Sequence, residues 1–484
     1  MALPIATPIP TPIAEHGSRL EALLDGQRAA FQSEGEASAR VRIDRLERGL
    51  DLLVSHQRDF CAALAQDFGR RHADLTRFAD ILPAVLAFKN ALRHVRRWMR
   101  PQRCRPALPA GAPGARAYTV YQALGVVGVL SPWNFPVNLT FGPLAGILAA
   151  GNRCLIKPSE ITPATADLMQ RRVVKYYDPS EVAVVTGGPE LAQAFARLPF
   201  DHLLFTGSTD VGRNVMRAAA EHLVPVTLEL GGKCPAVIGR SADLARAVDR
   251  LLLGKFVNAG QMCLAPDYVL VPAEAIHAFV ERARAWMAQA YPHFTTNPDY
   301  TTIISEHHSR RIESLLTDAR SKGATLISLA PEPQGPAQLV APTLVLGATD
   351  DMQLMQQEIF GPVLPLRPYQ RIDEAIAEIN RRPRPLALYY FGRDGAEERE
   401  LFNRTRSGGV TVNDVAMHFL AQELPFGGIG ASGIGEYHGW HGFRRFSHAR
   451  AVFRQTRLDV AGLVGLRPPY GKRLQQSLRL LLRR

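Results

Sequence analysis

The 484-residue sequence is poor in cysteine, and its cysteines do not cluster. Cys61, Cys104, Cys154, Cys234 and Cys263 are odd in number, widely spaced and without a CxxC pair. That excludes a disulfide framework and a cysteine zinc site, and points to free thiols in a reducing compartment; no metal is expected. No apolar run reaches the roughly 18 residues that a membrane-spanning helix needs. The N-terminus, MALPIATPIPTPIAEHG, is interrupted by proline and lacks the basic start of a secretory leader, so the expected location is the cytoplasm. Acidic residues are also in deficit, 45 Asp+Glu against 57 Lys+Arg, for a net charge of +12. Such a balance raises the question of an anionic partner. No nucleic-acid motif or aromatic platform accompanies it, so no nucleic acid is expected. Most of the excess is Arg spread along helical stretches, and only the C-terminal tail concentrates it.

What is present is the composition of an ordinary globular protein, 46% apolar and 21% charged, long enough for two or three domains. Residues 1–16 read as a loose arm, because proline removes backbone donors. Ile43, Leu46, Leu50, Leu53, Phe60 and Leu64 fall near one face of a long amphipathic helix. Leu75, Phe78, Leu82, Leu86 and Leu92 mark a second helical stretch with a kink or boundary at Pro83. A Pro/Gly/Ala-rich loop, 101–115, leads to strands at 118–122 and 126–130. Strands at 154–157, 182–185, 202–205 and 226–230 then alternate with helices at 163–177, 189–198 and 209–222. This repeated β-α-β spacing predicts a doubly wound parallel sheet that binds ligands at the carboxyl ends of its strands. After Gly231-Gly232 the alternation resumes as a second α/β unit. Its helices fall near 244–257, 273–291 and 307–322, its strands near 268–271, 343–346 and 388–391.

Several residues carry chemistry. Cys263, in FVNAGQMC, follows a helix and a Gly260-Gln261 step that permits unusual backbone. A turn there can present a thiol and aim free N–H groups at an oxyanion. For Cys61, Cys104 and Cys154, inert packing is the expected role. Glu229 ends a strand in VTLELGGKCP; partly desolvated it can act as a general base on water, and a surface pairing with a lysine accounts for it equally well. Asn134, in the proline-stiffened SPWNFP, offers an amide donor for an oxyanion or simply stabilises its own turn. Gly207-Ser208-Thr209-Asp210-Val211-Gly212 joins a strand to a helix as G-x-x-x-x-G, a place for phosphate that is neither a P-loop nor the usual dinucleotide fingerprint. Lys157 in KPSE ends a neighbouring strand within reach of a ribose or phosphate, and is otherwise a solvated lysine. Glu358 and Phe360, in EIFGPVLP, suit a ribose and a flat ring, or a turn carboxylate beside a core aromatic.

Taken together, SPWNFP, KPSE, FTGSTDVG, LELGGK, FVNAGQMC, EIFGPVLP and LPFGGIGASGIG occur in this order in one chain. The ordered set resembles the aldehyde dehydrogenase superfamily from about residue 30 to about 455. The ending LPFGGIGASGIGEYHGWHGFRRFSH and the short chain resemble its class 3 branch, and within it the bacterial coniferyl aldehyde dehydrogenases.

The resemblance implies NAD, or NADP, as cofactor, and oxidation of an aromatic or medium-chain aliphatic aldehyde to its acid. Cys263 would be the nucleophile, Asn134 the oxyanion donor and Glu229 the base that hydrolyses the thioester. Lys157 and Glu160 would bind the adenosine ribose; Gly207, Ser208 and Gly212 the pyrophosphate; Glu358 the nicotinamide ribose and Phe360 its ring. Trp133, Leu230 and Gly231 would complete the cofactor site, and Asn413 would sit beside the substrate channel. The implied fold is α/β. A Rossmann-like cofactor domain (17–114 and 132–230) adjoins an α/β catalytic domain (231–420), with a small β oligomerisation extension (115–131 and 421–455) and a basic tail (456–484). A homodimer follows from the same resemblance.

Three other readings stand beside this one. A CoA-acylating relative would typically lack Glu229. A catalytically silent relative would lack Cys263 or Glu229. Peripheral membrane contact rests on the tail RPPYGKRLQQSLRLLLRR, in which leucines alternate with basic residues.

Overall fold

The computed structural model describes residues 13–106, 114–331, 335–457 and 459–482. Two short antiparallel strands, β1 (Gln102–Cys104) and β2 (Arg116–Ala123), begin a three-stranded sheet that stands at the surface. The chain then enters a six-stranded sheet through β3 (Val126–Leu130), β4 (Arg153–Lys157), β5 (Val182–Val184), β6 (His202–Gly207) and β7 (Val226–Leu230). These five are parallel. Their alternation with the helices Pro163–Tyr176, Pro189–Ala196 and Thr209–Ala220 is the one that the spacing predicts. Every residue of β3 and β4 is buried, as strands covered by helices on both faces must be. Gly128, mid-β3, leaves room for the Phe200 ring, which a Cβ there would meet at 2.6 Å.

A seven-stranded sheet follows: β8 (Pro235–Ile238), β9 (Tyr268–Pro272), β10 (Thr325–Ser328), β11 (Thr343–Leu346), β12 (Val363–Tyr369), β13 (Ala387–Phe391) and β14 (Gly409–Val412), in the order β10-β11-β12-β9-β8-β13-β14. Only β10 runs antiparallel. The chain next returns to the first sheet. β15 (Gly433–Ile434) pairs antiparallel with β7, Gly433 opposite Glu229. β16 (Ser447–Arg454) then lies along the full length of β2.

Several boundaries differ from the expected ones. β3 lies inside the six-stranded sheet, between β6 and β4, and not in the extension, because its side chains are apolar on both faces. β1 joins the extension instead, and of the segment 421–455 only β16 belongs to it. The loose arm was expected to reach residue 16, but the helix Ile13–Glu34 already includes 13–16; residues 1–12 of that arm lie outside the described residues, as do 107–113 of the loop and Arg483 and Arg484 of the tail. The single long helix is two, Ala39–Ser55 and Gln57–Phe68, broken at His56. In the second helical stretch a π-turn, Arg77–Ile81, precedes the helix Leu82–Trp98, with Pro83 in its first turn, where a missing N–H is harmless. Phe78, Leu82 and Leu86 of that stretch are exposed, not packed. The helix Pro136–Ala150 had no sequence signal: it is apolar on all sides and buried around almost its whole circumference, so it has no polar face to set a period.

An ionic knot ties the N-terminal helices to this core. Arg45 and Arg48 both bond the Glu181 carboxylate, at 2.9 and 2.7 Å, and Arg45 and Arg153 share Glu34. Burial alone would raise the Glu181 pKa, but the hydrogen bonds from Arg48 and Arg45 outweigh it and bring it down to about 2. A depressed carboxylate stabilises the fold above its unfolded-state pKa of about 4.3, and loses that contribution as pH falls through the folded value. We therefore expect Glu181→Gln to lower stability toward urea at pH 7, and the gap from wild type to narrow steadily between pH 4.5 and pH 2.5. A gap that does not depend on pH would contradict the assignment.

Candidate active site

The centre of the molecule is a backbone turn. The helix Leu244–Phe256 ends, and Asn258, Ala259 and Gly260 follow with φ of 50°, 53° and 76°. The left-handed region is easy for Gly260 and costs a residue such as Ala259 roughly 1–2 kcal/mol. A Cβ at Gly260 would lie 2.3 Å from the Gly361 carbonyl, so glycine is required there twice over.

Side chains hold the turn in place. Asn258 Nδ2 donates to the carbonyls of Asn134 (3.2 Å) and Gln261 (3.3 Å). Buried Gln261 donates to the carbonyls of Asn258 and Thr302 and accepts from the Ile304 N–H at 2.9 Å. Cys263 emerges from this frame partly exposed, whereas Cys61, Cys154 and Cys234 are buried. Cys104, expected to be packed, is exposed on β1, an edge strand with every residue exposed. Burial pushes the Cys263 thiol well up, and the nearby Glu358, Cys234 and Glu229 push the same way.

Asn134 is buried, and its Nδ2 donates to the Gln261 carbonyl at 3.1 Å, two residues from the nucleophile. An amide nitrogen carries two donors, and this bond uses one. The loop around Asn134 is fixed from behind: buried Arg71 donates to its carbonyl at 2.8 Å and pairs with Asp80, which accepts the Asn138 N–H. Glu229 sits at the end of β7, 3% exposed, with both carboxylate oxygens unpartnered. Burial raises its pKa well above the usual carboxylate range, with a further push from Glu436. The alternative of a surface Glu–Lys pair does not hold.

The other predicted residues lie at or just after the carboxyl ends of β4, β6 and β7, and in the segment 358–360. Lys157 ends β4, buried, its Nζ 2.5 Å from Glu160, which is exposed. Ser208 caps the helix Thr209–Ala220, its hydroxyl accepting from the Val211 N–H. Gly207 and Gly212 are cradles: a Cβ would meet Phe205 at 2.5 Å and Leu230 at 2.6 Å. Gly231 lies under Glu358, whose carboxylate occupies the place of its missing Cβ. Burial and Asp267 raise the Glu358 carboxyl to about 8. Phe360, at a φ of 47°, meets the Trp133 ring edge to face at 5.4 Å.

Asn413 is placed elsewhere. Its amide donates to the Gly392 carbonyl and accepts from the Gly392 N–H, both at 2.9 Å, just beyond the carboxyl end of β13. Ala387, which touches Cys234 beneath the nucleophile, is at the opposite end of that strand, about 16 Å away at ~3.3 Å per residue. Asn413 clamps two strand ends, and is not beside the site as expected.

Three further residues, Lys233, Asp267 and Arg311, complete the frame. Lys233 forms a buried ion pair with Asp267 and donates to the Leu354 carbonyl at 2.7 Å. Asp267 in turn accepts the Ile359 N–H, and Arg311 holds the carbonyls of Glu358 and Ile359. Lys233 was legible as part of LELGGK. Asp267 and Arg311 lie outside any recognisable pattern.

Comparisons with known proteins agree with this arrangement. The model of the family described as "Aldehyde dehydrogenase family" matches residues 13–452. The chain is 51% identical to "Probable coniferyl aldehyde dehydrogenase" of Caulobacter vibrioides and 45% identical to "Coniferyl aldehyde dehydrogenase" of a Pseudomonas species, with 96% of each chain covered in both cases. The solved structure of Staphylococcus aureus AldH in a substrate-bound state superposes with a TM-score of 0.89 at 34% identity, covering 96% of this chain and 99% of that one. The matched span includes the turn before Cys263, the buried Glu229 and the glycines that follow β6 and β7, and the chain belongs to the aldehyde dehydrogenase family.

Proposed function

We propose that the protein oxidises aldehydes to carboxylic acids with NAD, and that its substrates include hydroxycinnamyl aldehydes of the coniferyl type. One observation carries the reading: a partly exposed cysteine on a rigid left-handed turn, with a buried, unpartnered glutamate nearby. The substrate class follows from the two coniferyl aldehyde dehydrogenases that the chain resembles over nearly its whole length.

The carboxyl ends of the parallel strands suit a dinucleotide. The helix that Ser208 caps turns its first N–H groups toward a phosphate, while Gly207, Gly212 and Gly231 lack side chains because Phe205, Leu230 and Glu358 fill the space where a Cβ would stand. Lys157 and Glu160 would hold the adenosine ribose, and Leu230, Gly231, Trp133, Glu358 and Phe360 would enclose the nicotinamide end. When bound, the nicotinamide brings a positive charge beside the thiol and accepts the hydride. The six-stranded unit is then the cofactor domain and the seven-stranded unit the catalytic one.

The chain supplies the rest. The Cys263 thiolate attacks the aldehyde carbon, and the new oxyanion takes hydrogen bonds from the second Asn134 N–H and the Cys263 backbone N–H. Loss of hydride from that carbon leaves a thioester. Glu229 takes a proton from water, the water oxygen attacks the thioester carbon, and the acid departs as the Cys263 sulfur is freed. A carboxylate with a raised pKa is a better base once ionised, so thioester hydrolysis should speed up as pH rises through it.

The three-stranded sheet has β1 and β16 as its two edges and exposes Phe453, which supports a homodimer built through this extension. The tail helix Lys472–Leu481 exposes Leu478, Leu480 and Leu481 beside Lys472, Arg473 and Arg479, and supports peripheral contact with an anionic membrane surface. No helix among the described residues is long and apolar enough to cross a membrane.

Three outcomes test these assignments. Cys263→Ala should abolish NADH formation with coniferyl aldehyde and with aliphatic aldehydes while NAD still binds by fluorescence titration; residual turnover would refute the nucleophile. Glu229→Gln should keep a pre-steady-state burst of NADH and lose steady-state turnover by about 10²-fold or more, in the range typical of a lost general base; equal loss of both would remove Glu229 from the hydrolytic step. Truncation before Arg467 should leave turnover unchanged and reduce co-sedimentation with phosphatidylserine vesicles; equal sedimentation of both forms would end the membrane reading.

A further inference from the structure

The mechanism uses one thiol, yet a second lies directly beneath it. Cys234 is completely buried at the entrance to β8, and its Sγ makes two contacts that lead to the nucleophile. The Cys234 S–H donates to the Cys263 carbonyl at 3.3 Å, and the Ala387 N–H donates to Cys234 Sγ at 3.3 Å. The Cys234 main chain belongs to the same frame, its carbonyl accepting the Asp267 N–H at 2.7 Å. From the other side, Tyr389, two residues beyond Ala387, donates its hydroxyl to the Leu264 carbonyl at 2.6 Å. The two peptide carbonyls that follow the nucleophile are thus held by side chains of β13 and of the segment leading into β8.

We infer that Cys234 is a positioning residue for Cys263, an inference that rests on the nucleophile assignment above. Fixing the Cys263 carbonyl fixes ψ of that residue, and with it the direction of the Cα–Cβ bond that aims the sulfur. The same hydrogen bond draws electron density from a carbonyl whose lone pairs lie close to the nucleophile's own sulfur, so it eases formation of negative charge there. A neutral thiol is well suited to this position. Burial pushes the Cys234 pKa far up, so the group stays a donor and adds no charge beside the thiolate.

The test compares Cys234→Ala with Cys234→Ser in the full-length enzyme, with Cys263→Ala as the control. A hydroxyl keeps both the donor and the acceptor; alanine keeps neither. Cys234→Ala should lower kcat about three- to tenfold, the worth of one such hydrogen bond, with KM for aldehyde and NAD unchanged. It should also slow alkylation of Cys263 by iodoacetamide to a similar degree, read by peptide mass. Cys234→Ser should restore both rates toward wild type. If Cys234→Ala does not fold, Cys234→Ser decides alone, and wild-type alkylation and turnover support the proposal. Equal losses in Ala and Ser, or no loss in Ala, would overturn it. Turnover by Cys263→Ala would instead overturn the nucleophile reading beneath it, so the two failures are distinguishable.

Discussion

A left-handed turn of three residues cannot hold itself, and the site depends on what holds this one. Asn258 and Ala259 occupy backbone space that L-residues avoid, and the opposing force comes from a closed set of side-chain bonds through Asn258, Gln261 and Asn134. The set reaches across the sheets: Asn134 follows β3 of one unit, and Cys263 precedes β9 of the other. Asn134 and the turn that leads to Cys263 are therefore oriented by a single network, and neither can move without the other. Local strain of a few kcal/mol is tolerable here because many buried bonds fix the same geometry from several directions.

The glutamates show how burial divides labour among identical side chains. Glu181, bonded by two guanidinium groups, is held as a strong anion and fastens helices to the sheet. Glu229, with no partner for either oxygen, is pushed the other way. Glu358, lying on Gly231 beside the Lys233–Asp267 pair, is raised as well, to about 8. Environment alone makes one an ion-pair staple and leaves the other two with raised pKa values.

Much of this was legible in the sequence, and the exceptions have physical causes. The alternation from β4 to β7 was visible because short, fully apolar strands are separated by helices that bury one face and so carry a period. The helix Pro136–Ala150 was not, since it has no exposed face, and the break at His56 was not, since the apolar positions continue in register across it. A turn before Cys263 and a strand end at Glu229 could be read from the residues, while the roles of both, and the choice of Gly231, came only from the resemblance. Asn413 was placed by resemblance alone, and only its partners, the two backbone groups of Gly392, show that it clamps strand ends. Asp267, Arg311 and Cys234 act through contacts distant along the chain, to which no local pattern corresponds.

The pairing of β15 with β7 has a temporal side. Gly433 lies opposite Glu229, so the strand that carries the base receives its last neighbour from a segment just over 200 residues downstream. At ordinary translation speeds a growing chain spends about 10–40 s between those two points. During that interval the parallel strands β3 to β7 can assemble at the ribosome and the Cys263 thiol already exists, but the edge beside the base stays bare. Catalytic competence therefore arrives late and all at once, when the C-terminal segment closes over a sheet that was built first.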